Sequence, residues 1–89
     1  MAIVAVFHGS DMTPAQYDEV SRQLAEEGFS EPDGRIEHLT GWTEHGYTVV
    51  DTWETTEKFE RFSQTLLAIL ERNGLDPNQP TIYDLRQLI

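Results

Sequence analysis

The chain has 89 residues, and its 16 acidic and 6 basic side chains give a formal net charge of −10. That charge argues against nucleic acid and membrane as partners, since phosphate backbones and anionic lipids repel a polyanion. There is no cysteine, which excludes disulfides and thiolate chemistry. A chain of this length holds one domain, residues 1–89, with a modest core, and pairing with a second copy would bury more surface.

The first predicted element is a strand from Ala2 to His8, where an apolar, β-branched run ends at Gly9 and Ser10. This apolar start lacks basic residues and a cleavage site, and it is too short for a secretion signal or a membrane span. We therefore expect a cytoplasmic protein.

A helix is predicted next. Thr13 is its expected N-cap, Pro14 occupies its first position, and Gln16 completes a capping-box pattern. Gly28 is a natural stop. The apolar residues that recur at helical spacing between these ends are Tyr17, Val20 and Leu24.

Two strands and a second helix follow in the pattern. The strands are predicted over Ile36–Thr43 and Tyr47–Glu54, around a turn that contains Gly46. Thr55 is the expected N-cap of the second helix, which ends at Asn73-Gly74. Its apolar stripe consists of Phe59, Phe62, Leu66, Ile69 and Leu70.

A last strand from Thr81 to Leu88 completes the order β-α-β-β-α-β. This order predicts an α+β, ferredoxin-like sandwich, with a four-stranded antiparallel sheet and two helices on one face. The other face, which would carry Leu39 and Val50, is left uncovered. We expect a homodimer through this open sheet face, because a symmetric pair of sheets would cover it.

The pairing of the two middle strands decides which side chains share a face. In one strand Ile36, His38, Thr40 and Trp42 point the same way, and in the next Tyr47, Val49, Asp51 and Trp53 do. A two-residue or four-residue connection puts both groups on one face, with His38 opposite Asp51 in the four-residue version. A three-residue loop would separate them. We favour the four-residue register, because it gathers the bulky residues towards the helices.

Large flat side chains between sheet and helices often leave a concave apolar pocket for a small apolar molecule. His38 and Asp51 would be its polar groups. In one interpretation they are catalytic: Asp51 fixes the imidazole tautomer and makes the other nitrogen a better base. In the other they are a structural cross-strand pair worth about 0.2–1 kcal/mol.

Further candidates surround this pair. Tyr83 is a candidate acid or anchor, or else a core tyrosine with a solvated hydroxyl. His45 lies in the turn, where we expect it to be solvated. The substrate-binding candidates are Trp53, Trp42, Tyr17, Phe59, Phe62 and His8, with core packing as the alternative for the aromatic residues and an exposed strand end for His8.

Metal binding is not expected, because the three histidines lack the paired spacing of metal ligands. There is no phosphate-binding glycine loop and no nucleophile motif. A flavin or nicotinamide site would require a larger domain. We therefore expect no cofactor.

The element order, together with the segments PDGRIEH and GYTVVDTWETTEKFERF, resembles the dimeric α+β barrel superfamily, and within it the small antibiotic biosynthesis monooxygenase-like proteins. The most specific part is a strand that ends in Trp-Glu-Ser/Thr and continues into a helix with Phe-x-x-Phe. Here these residues are Trp53, Glu54, Thr55, Phe59 and Phe62. The resemblance implies a homodimer whose sheets close into a barrel, with a pocket in each subunit.

Members of this superfamily include cofactor-free oxygenases of aromatic polyketides, haem-degrading oxygenases, lactone isomerases and polyketide cyclases. The resemblance aligns Trp53 with a pocket tryptophan of the cofactor-free oxygenases and makes Tyr83 a candidate for a pocket tyrosine. The chain departs from the pattern in two places. No histidine occurs between Thr55 and Gly74, where the haem degraders ligate iron, and Val49 stands where the oxygenases often have asparagine.

Two functional hypotheses follow. The first is a cofactor-independent enzyme acting on an aromatic or polyketide-like molecule, either monooxygenase-like or an isomerase or cyclase that abstracts a proton. His38 would be its base, Asp51 the group that orients the base, and Tyr83 the acid or anchor. The second is a non-catalytic homodimer that binds a ligand or has a structural role.

Overall fold

A computed structural model describes residues 1–88. Its four strands form one sheet in the order β2-β3-β1-β4, and all neighbouring strands are antiparallel. Both helices pack on one face of the sheet, so the predicted ferredoxin-like α+β arrangement is confirmed. In chain order the elements are β1 (Ile3–Gly9), α1 (Pro14–Glu26), β2 (Arg35–Thr43), β3 (Gly46–Trp53), α2 (Thr56–Arg72) and β4 (Thr81–Asp84).

Both helices begin at the predicted caps. The Thr13 hydroxyl accepts a hydrogen bond from the Gln16 backbone N–H (3.2 Å), and the Gln16 side chain accepts one from the Thr13 N–H (2.8 Å). The Thr55 hydroxyl accepts a hydrogen bond from the Lys58 backbone N–H at 3.1 Å. These bonds satisfy N–H groups that have no partner within the helix, which is why the chain turns helical at these residues.

The solid part of the core lies where β1 begins and β3 ends. Trp53, Ile3 and Ile69 are the largest fully buried side chains there. The Trp53 ring packs against Phe59 and Phe62, with ring centroids 5.7 and 5.1 Å away. This cluster joins both central strands to α2.

The β2–β3 hairpin has the favoured pairing of His38 with Asp51, but its turn has two residues rather than the expected four. His38 lies opposite Asp51, and the pairing continues to Thr43 and Gly46, so that two residues, Glu44 and His45, form the turn. Gly46 is required at this point: its φ is 154°, and a side chain on it would collide with the backbone carbonyl at the end of β1.

A bulge near the start of β2 changes one predicted face. Arg35 lies opposite Trp53 and Glu37 lies opposite Thr52, so Ile36 is an extra residue in the strand. The prediction that Ile36 shares a face with His38 is therefore wrong. Ile36 is 43% exposed, and Arg35 takes the inward position instead.

The last strand is shorter than predicted. It ends at Asp84, which lies opposite the first residue of β1, Ile3. Beyond it, the Leu85 N–H donates to the Ala2 carbonyl at 2.9 Å, and β1 offers no further partner. Neither helix within residues 1–88 combines the length and the hydrophobicity that crossing a membrane requires.

In the described part of the chain, both helices lie on the first face of the sheet and the second face carries none. Cross-strand pairing places Leu39 beside Val50, Val50 beside Val6, and Val4 beside Tyr83 on this face. Leu39 is 59% exposed and Tyr83 is 55% exposed. We call this surface the open face.

Candidate functional site

A cavity of about 390 Å³ lies between the inner face of the sheet and the two helices. Its volume is at the lower end of the range for small-molecule sites, about 300–1,000 Å³. The polar side chains at its wall include Tyr17, Arg35, His38, Tyr47, Asp51 and Asn78. Its apolar wall includes Phe7, Met12, Val20, Leu24, Phe29, Phe62, Leu66 and Leu70.

Three polar side chains at this wall are joined by hydrogen bonds. Asp51 on β3 is 2% exposed, and its Oδ1 lies 2.5 Å from Nδ1 of His38, the residue opposite it on β2. The Tyr17 hydroxyl, from α1, lies 2.5 Å from Nε2 of the same imidazole. The Tyr17 and His38 rings are also nearly parallel, with an interplanar angle of 13°. We call Tyr17, His38 and Asp51 the triad.

The chemistry of the groups fixes the direction of these bonds. A carboxylate only accepts hydrogen bonds, so His38 donates from Nδ1 to Asp51. In a neutral imidazole the other nitrogen is then an acceptor, and Tyr17 donates its hydroxyl proton to Nε2. The tyrosine oxygen is therefore the end of the triad farthest from the buried carboxylate.

A second polar pair lies near the end of β1. The Asn78 amide donates to the Tyr47 hydroxyl at 2.7 Å. Burial raises the pKa of Tyr47, the Asp11 carboxylate adds to that rise, and the Asn78 hydrogen bond opposes it. The hydroxyl therefore stays protonated near neutral pH, and its own hydrogen remains available to donate. Gly9 leaves room for the pair, since a side chain there would collide with both groups.

Arg35 lines the cavity near the other end of β3. Its guanidinium carbon lies 5.9 Å from the centre of the Phe62 ring, in cation–π geometry. The bulge in β2 is what turns this side chain inward. A single cationic group thus meets the apolar wall at this end.

Four of the predicted site residues meet at the cavity wall: His38, Asp51, Tyr17 and Phe62. Trp42 lies behind Tyr17, with ring centroids 5.2 Å apart in an edge-on contact. Its indole N–H donates to the Met12 carbonyl at 3.0 Å, which fixes the loop before α1. Trp42 therefore supports the wall from behind.

Trp53 and Phe59 belong to the solid core rather than to the cavity wall. Trp53 is 0% exposed, and its indole N–H has no hydrogen-bond partner in the described part of the chain. A buried donor without a partner costs about 1–3 kcal/mol. The structure does not bring either ring into contact with the cavity.

His8 and Tyr83 do not line the cavity either. Both point to the open face, because they alternate with inward-facing neighbours along their strands. The His8 Nδ1 lies 2.9 Å from the Thr48 hydroxyl. His45, in the turn, is exposed beside Glu44.

Several wall residues had no predicted role. Arg35 was missed because the bulge could not be read from alternation. Asn78 lies in a loop without a pattern, and Tyr47 was grouped with the inward residues but given no function. Tyr17 was predicted as a wall residue, but no sequence signal indicated its hydrogen bond to His38, which depends on how α1 docks.

No three histidine, aspartate or glutamate side chains within residues 1–88 are grouped closely enough to hold a metal ion. The expectation that the protein binds no metal stays a prediction.

The chain matches no protein-family model and no curated protein, but it does match solved structures. A variant of SnoaB, a cofactor-independent oxygenase from Streptomyces nogalater, matches with a TM-score of 0.67 and 16% identity, over 99% of this chain and 95% of that chain. A conserved protein from Methanosarcina mazei Go1 matches with a TM-score of 0.68 and 18% identity, over 97% and 94% of the two chains. A candidate antibiotic biosynthesis monooxygenase from Deinococcus radiodurans matches with a TM-score of 0.61 and 14% identity, over 100% and 96%.

These matches establish the fold. The chain has the α+β architecture of the antibiotic biosynthesis monooxygenase-like proteins, as the resemblance predicted. At such low identity the likeness concerns the fold alone, so the chemistry has to be argued from this chain's own residues.

Proposed function

We propose that this chain, which shares its fold with antibiotic biosynthesis monooxygenase-like proteins, is a cofactor-independent enzyme that removes a proton from an aromatic or polyketide-like substrate. The observation that carries the proposal is the triad at the wall of an apolar cavity of about 390 Å³. A buried carboxylate is costly in an apolar layer, and here it is held against an imidazole that faces the cavity. This arrangement is well suited to holding and moving a proton.

The proton would move along the triad. The resting His38 nitrogen is occupied by the Tyr17 hydroxyl, so the substrate meets the tyrosine oxygen first. The substrate C–H proton passes to that oxygen while the tyrosine proton passes to Nε2 of His38. The step leaves a substrate carbanion, a neutral tyrosine, and an imidazolium stabilised by the Asp51 carboxylate.

The charge left on the substrate requires a donor. Tyr47 remains protonated at the wall of the same cavity, and its hydroxyl can donate to the carbonyl oxygen on which the charge collects. Reprotonation at another carbon would complete an isomerisation or a cyclisation. Alternatively the carbanion reduces O₂, so that a CH₂ group becomes C=O and the second oxygen atom leaves as water. The name of SnoaB, a cofactor-independent oxygenase, favours the second course by analogy.

The second candidate function is ligand binding without turnover. It is favoured by the same hydrogen bond that occupies His38 Nε2. If that nitrogen cannot accept a substrate proton, the site is an apolar cavity with polar side chains at its wall. The two functions differ in what happens when Tyr17 or His38 is replaced.

The test combines binding and turnover. A panel of aromatic and polyketide-like phenols and ketones is screened by thermal shift, and compounds that bind are incubated with the protein under air and under argon, with products identified by mass spectrometry. We expect His38→Gln and Tyr17→Phe to lose turnover by at least about 100-fold and to change affinity little, as for general acid–base catalysis. His45→Gln is the matched control, since His45 is exposed in the hairpin turn.

The outcomes separate the candidates. Turnover that survives in His38→Gln refutes the triad as the catalytic group. Loss in His38→Gln but not in Tyr17→Phe shows that the imidazole takes the proton directly. Compounds that bind to the unaltered protein and are never converted support the binding function. A requirement for air distinguishes oxygenation from isomerisation or cyclisation.

We also propose that two copies pair through the open face. The apolar side chains of that face include Leu39, Val50 and Val4, and no helix or strand within residues 1–88 covers them. Exposed apolar patches of this kind on a small domain mark association surfaces. A two-fold pair would place the same patch of each copy against the other, and Tyr83 would then lie at the interface.

A further inference from the structure

Arg35 is the only arginine or lysine side chain at the wall of the cavity within residues 1–88. This is notable in a chain with 6 basic and 16 acidic residues, where a cation has many potential partners. The guanidinium nevertheless makes no ion pair and no side-chain hydrogen bond to any residue of that range.

Some of the five other arginine and lysine residues behave differently. Three of them form ion pairs with surface carboxylates: Arg22 with Glu19 and Glu26, Lys58 with Asp33 and Glu54, and Arg72 with Glu27. Arg35 instead lies over the Phe62 ring, 5.9 Å from its centre. An aromatic ring face stabilises a guanidinium without using its N–H groups, so these hydrogen-bond donors stay available for a ligand.

Among residues 1–88, Asp51 is the only carboxylate at the cavity wall, and it is already engaged. Asp51 is hydrogen-bonded to His38, and it forms no ion pair with Arg35. A neutral ligand that filled the cavity would therefore strip water from Arg35 and give it no counter-charge, which is unfavourable. An anionic group on the ligand would remove that cost and match the planar fork of the guanidinium with two parallel hydrogen bonds.

The bulge also determines where the anion would lie relative to the reactive group. Because Ile36 is the extra residue, Arg35 and His38 are successive inward-facing residues of β2. A carboxylate bound by Arg35 would then lie one inward-facing position along β2 from the imidazole. The cavity would hold the aromatic body against the apolar side chains of the helices.

We propose that Arg35 binds a carboxylate of the substrate, and hence that the substrate is an aromatic or polyketide-like acid rather than a neutral ring compound. The substrate assignment rests on the proposed function, since it assumes that the cavity is the site of reaction. The recognition of a carboxylate by Arg35 is a binding property and can be measured without turnover.

The experiment compares ligands that differ only in charge. Binding of 2-naphthoate and 2-naphthamide is measured by isothermal titration at pH 8 for the unaltered protein, Arg35→Gln and Arg35→Met. Arg61→Gln is the matched control, because Arg61 is exposed on α2 and does not line the cavity. Thermal melts of all variants verify folding, and Arg35→Met keeps an apolar stem against Phe62.

We expect the unaltered protein and Arg61→Gln to bind the carboxylate about 10- to 100-fold more tightly than the amide, as a charge-assisted pair predicts. Both Arg35 variants should lose this preference while amide affinity changes by less than about threefold. Equal binding of the two ligands, no binding of either, or a preference that survives both substitutions would overturn the assignment. A preference that depends on Arg35, without conversion of any aromatic acid, would leave Arg35 as the carboxylate site and refute the enzyme proposal instead.

Discussion

Replacing Asp51 with asparagine is expected to allow both neutral tautomers of the His38 imidazole. In the native triad the carboxylate can only accept a hydrogen bond, so the imidazole proton is held on Nδ1. The distance from Nδ1 to Oδ1 of Asp51 is 2.5 Å. An amide of the same size donates as readily as it accepts. The form protonated on Nε2 should therefore become populated, and in that form His38 can no longer accept the Tyr17 proton.

The size of the effect on stability follows from the burial of the pair. The Asp51 side chain is 3% exposed and that of His38 is 27% exposed, so water replaces little of what is lost. A hydrogen bond to a charged group contributes about 1.5–3 kcal/mol and a neutral one about 0.5–1.5 kcal/mol. The exchange should cost about 1 kcal/mol, which for a domain of this size lowers Tm by about 4–8 °C.

The assay does not require a substrate. Long-range ¹H–¹⁵N correlation spectra of the imidazole nitrogens at pH 8 report which nitrogen carries the proton, and the His38→Gln variant assigns the resonances. Asp18→Asn, an exposed carboxylate on α1, is the control for the loss of one negative charge. If His38 in Asp51→Asn stays protonated on Nδ1 and Tm is unchanged, the carboxylate does not orient the imidazole and the reasoning behind the triad fails.

Three other predictions concern the fold around the site. Gly9→Ala should destabilise the protein by about 1–3 kcal/mol in urea unfolding, because its methyl group would enter the tyrosine–asparagine contact, whereas Gly41→Ala meets no atom within 4 Å and should cost less. Thr55→Ala should lower stability by about 1 kcal/mol through loss of the α2 cap; an unchanged unfolding midpoint would contradict this. Leu39→Asp should convert the proposed dimer into a monomer by light scattering, whereas Leu67→Asp, at a leucine 40% exposed on α2, should not; a dimer that persists in Leu39→Asp would count against the open face.

Local features of the sequence account for most of the fold. The helix caps and the 3.6-residue spacing are properties of neighbouring residues, and both helices begin where Thr13 and Thr55 predict. The hairpin register needed a further argument, because two other turn lengths were possible. The bulk of the side chains favoured the register with His38 opposite Asp51, because it gathers the large residues towards the helices.

The site could be predicted only in part, for a physical reason. Alternation along a strand assumes regular pairing, and one inserted residue at Ile36 reverses the face of everything before it. Alternation therefore could not place Arg35 on the inner face of the sheet. The contact between Tyr17 and His38 joins residues 21 positions apart. The contact depends on the position at which α1 packs along the sheet, which the spacing of apolar residues in the helix does not specify.

The cavity is large for a domain of this size, and its volume suggests how to find its ligand. At about 24 cal/mol per Å³ of unfilled volume, a dry void of about 390 Å³ would cost on the order of 9 kcal/mol. That is comparable to the whole stability of a small protein, about 5–15 kcal/mol. The polar triad makes the space wettable, and the solid cluster around Trp53 supplies packing beside it.

A ligand that replaces water there should stabilise the fold strongly. At 100 times its Kd it adds about 2.7 kcal/mol, which corresponds to an increase in Tm of about 10–20 °C. Thermal shift is therefore a sensitive first screen for carboxylate-bearing aromatic compounds. Ser21→Phe would narrow the cavity from the α1 side, because Ser21 is part of its wall. A compound that still raises the Tm of this variant by the same amount binds elsewhere, and the open face is then the surface to test.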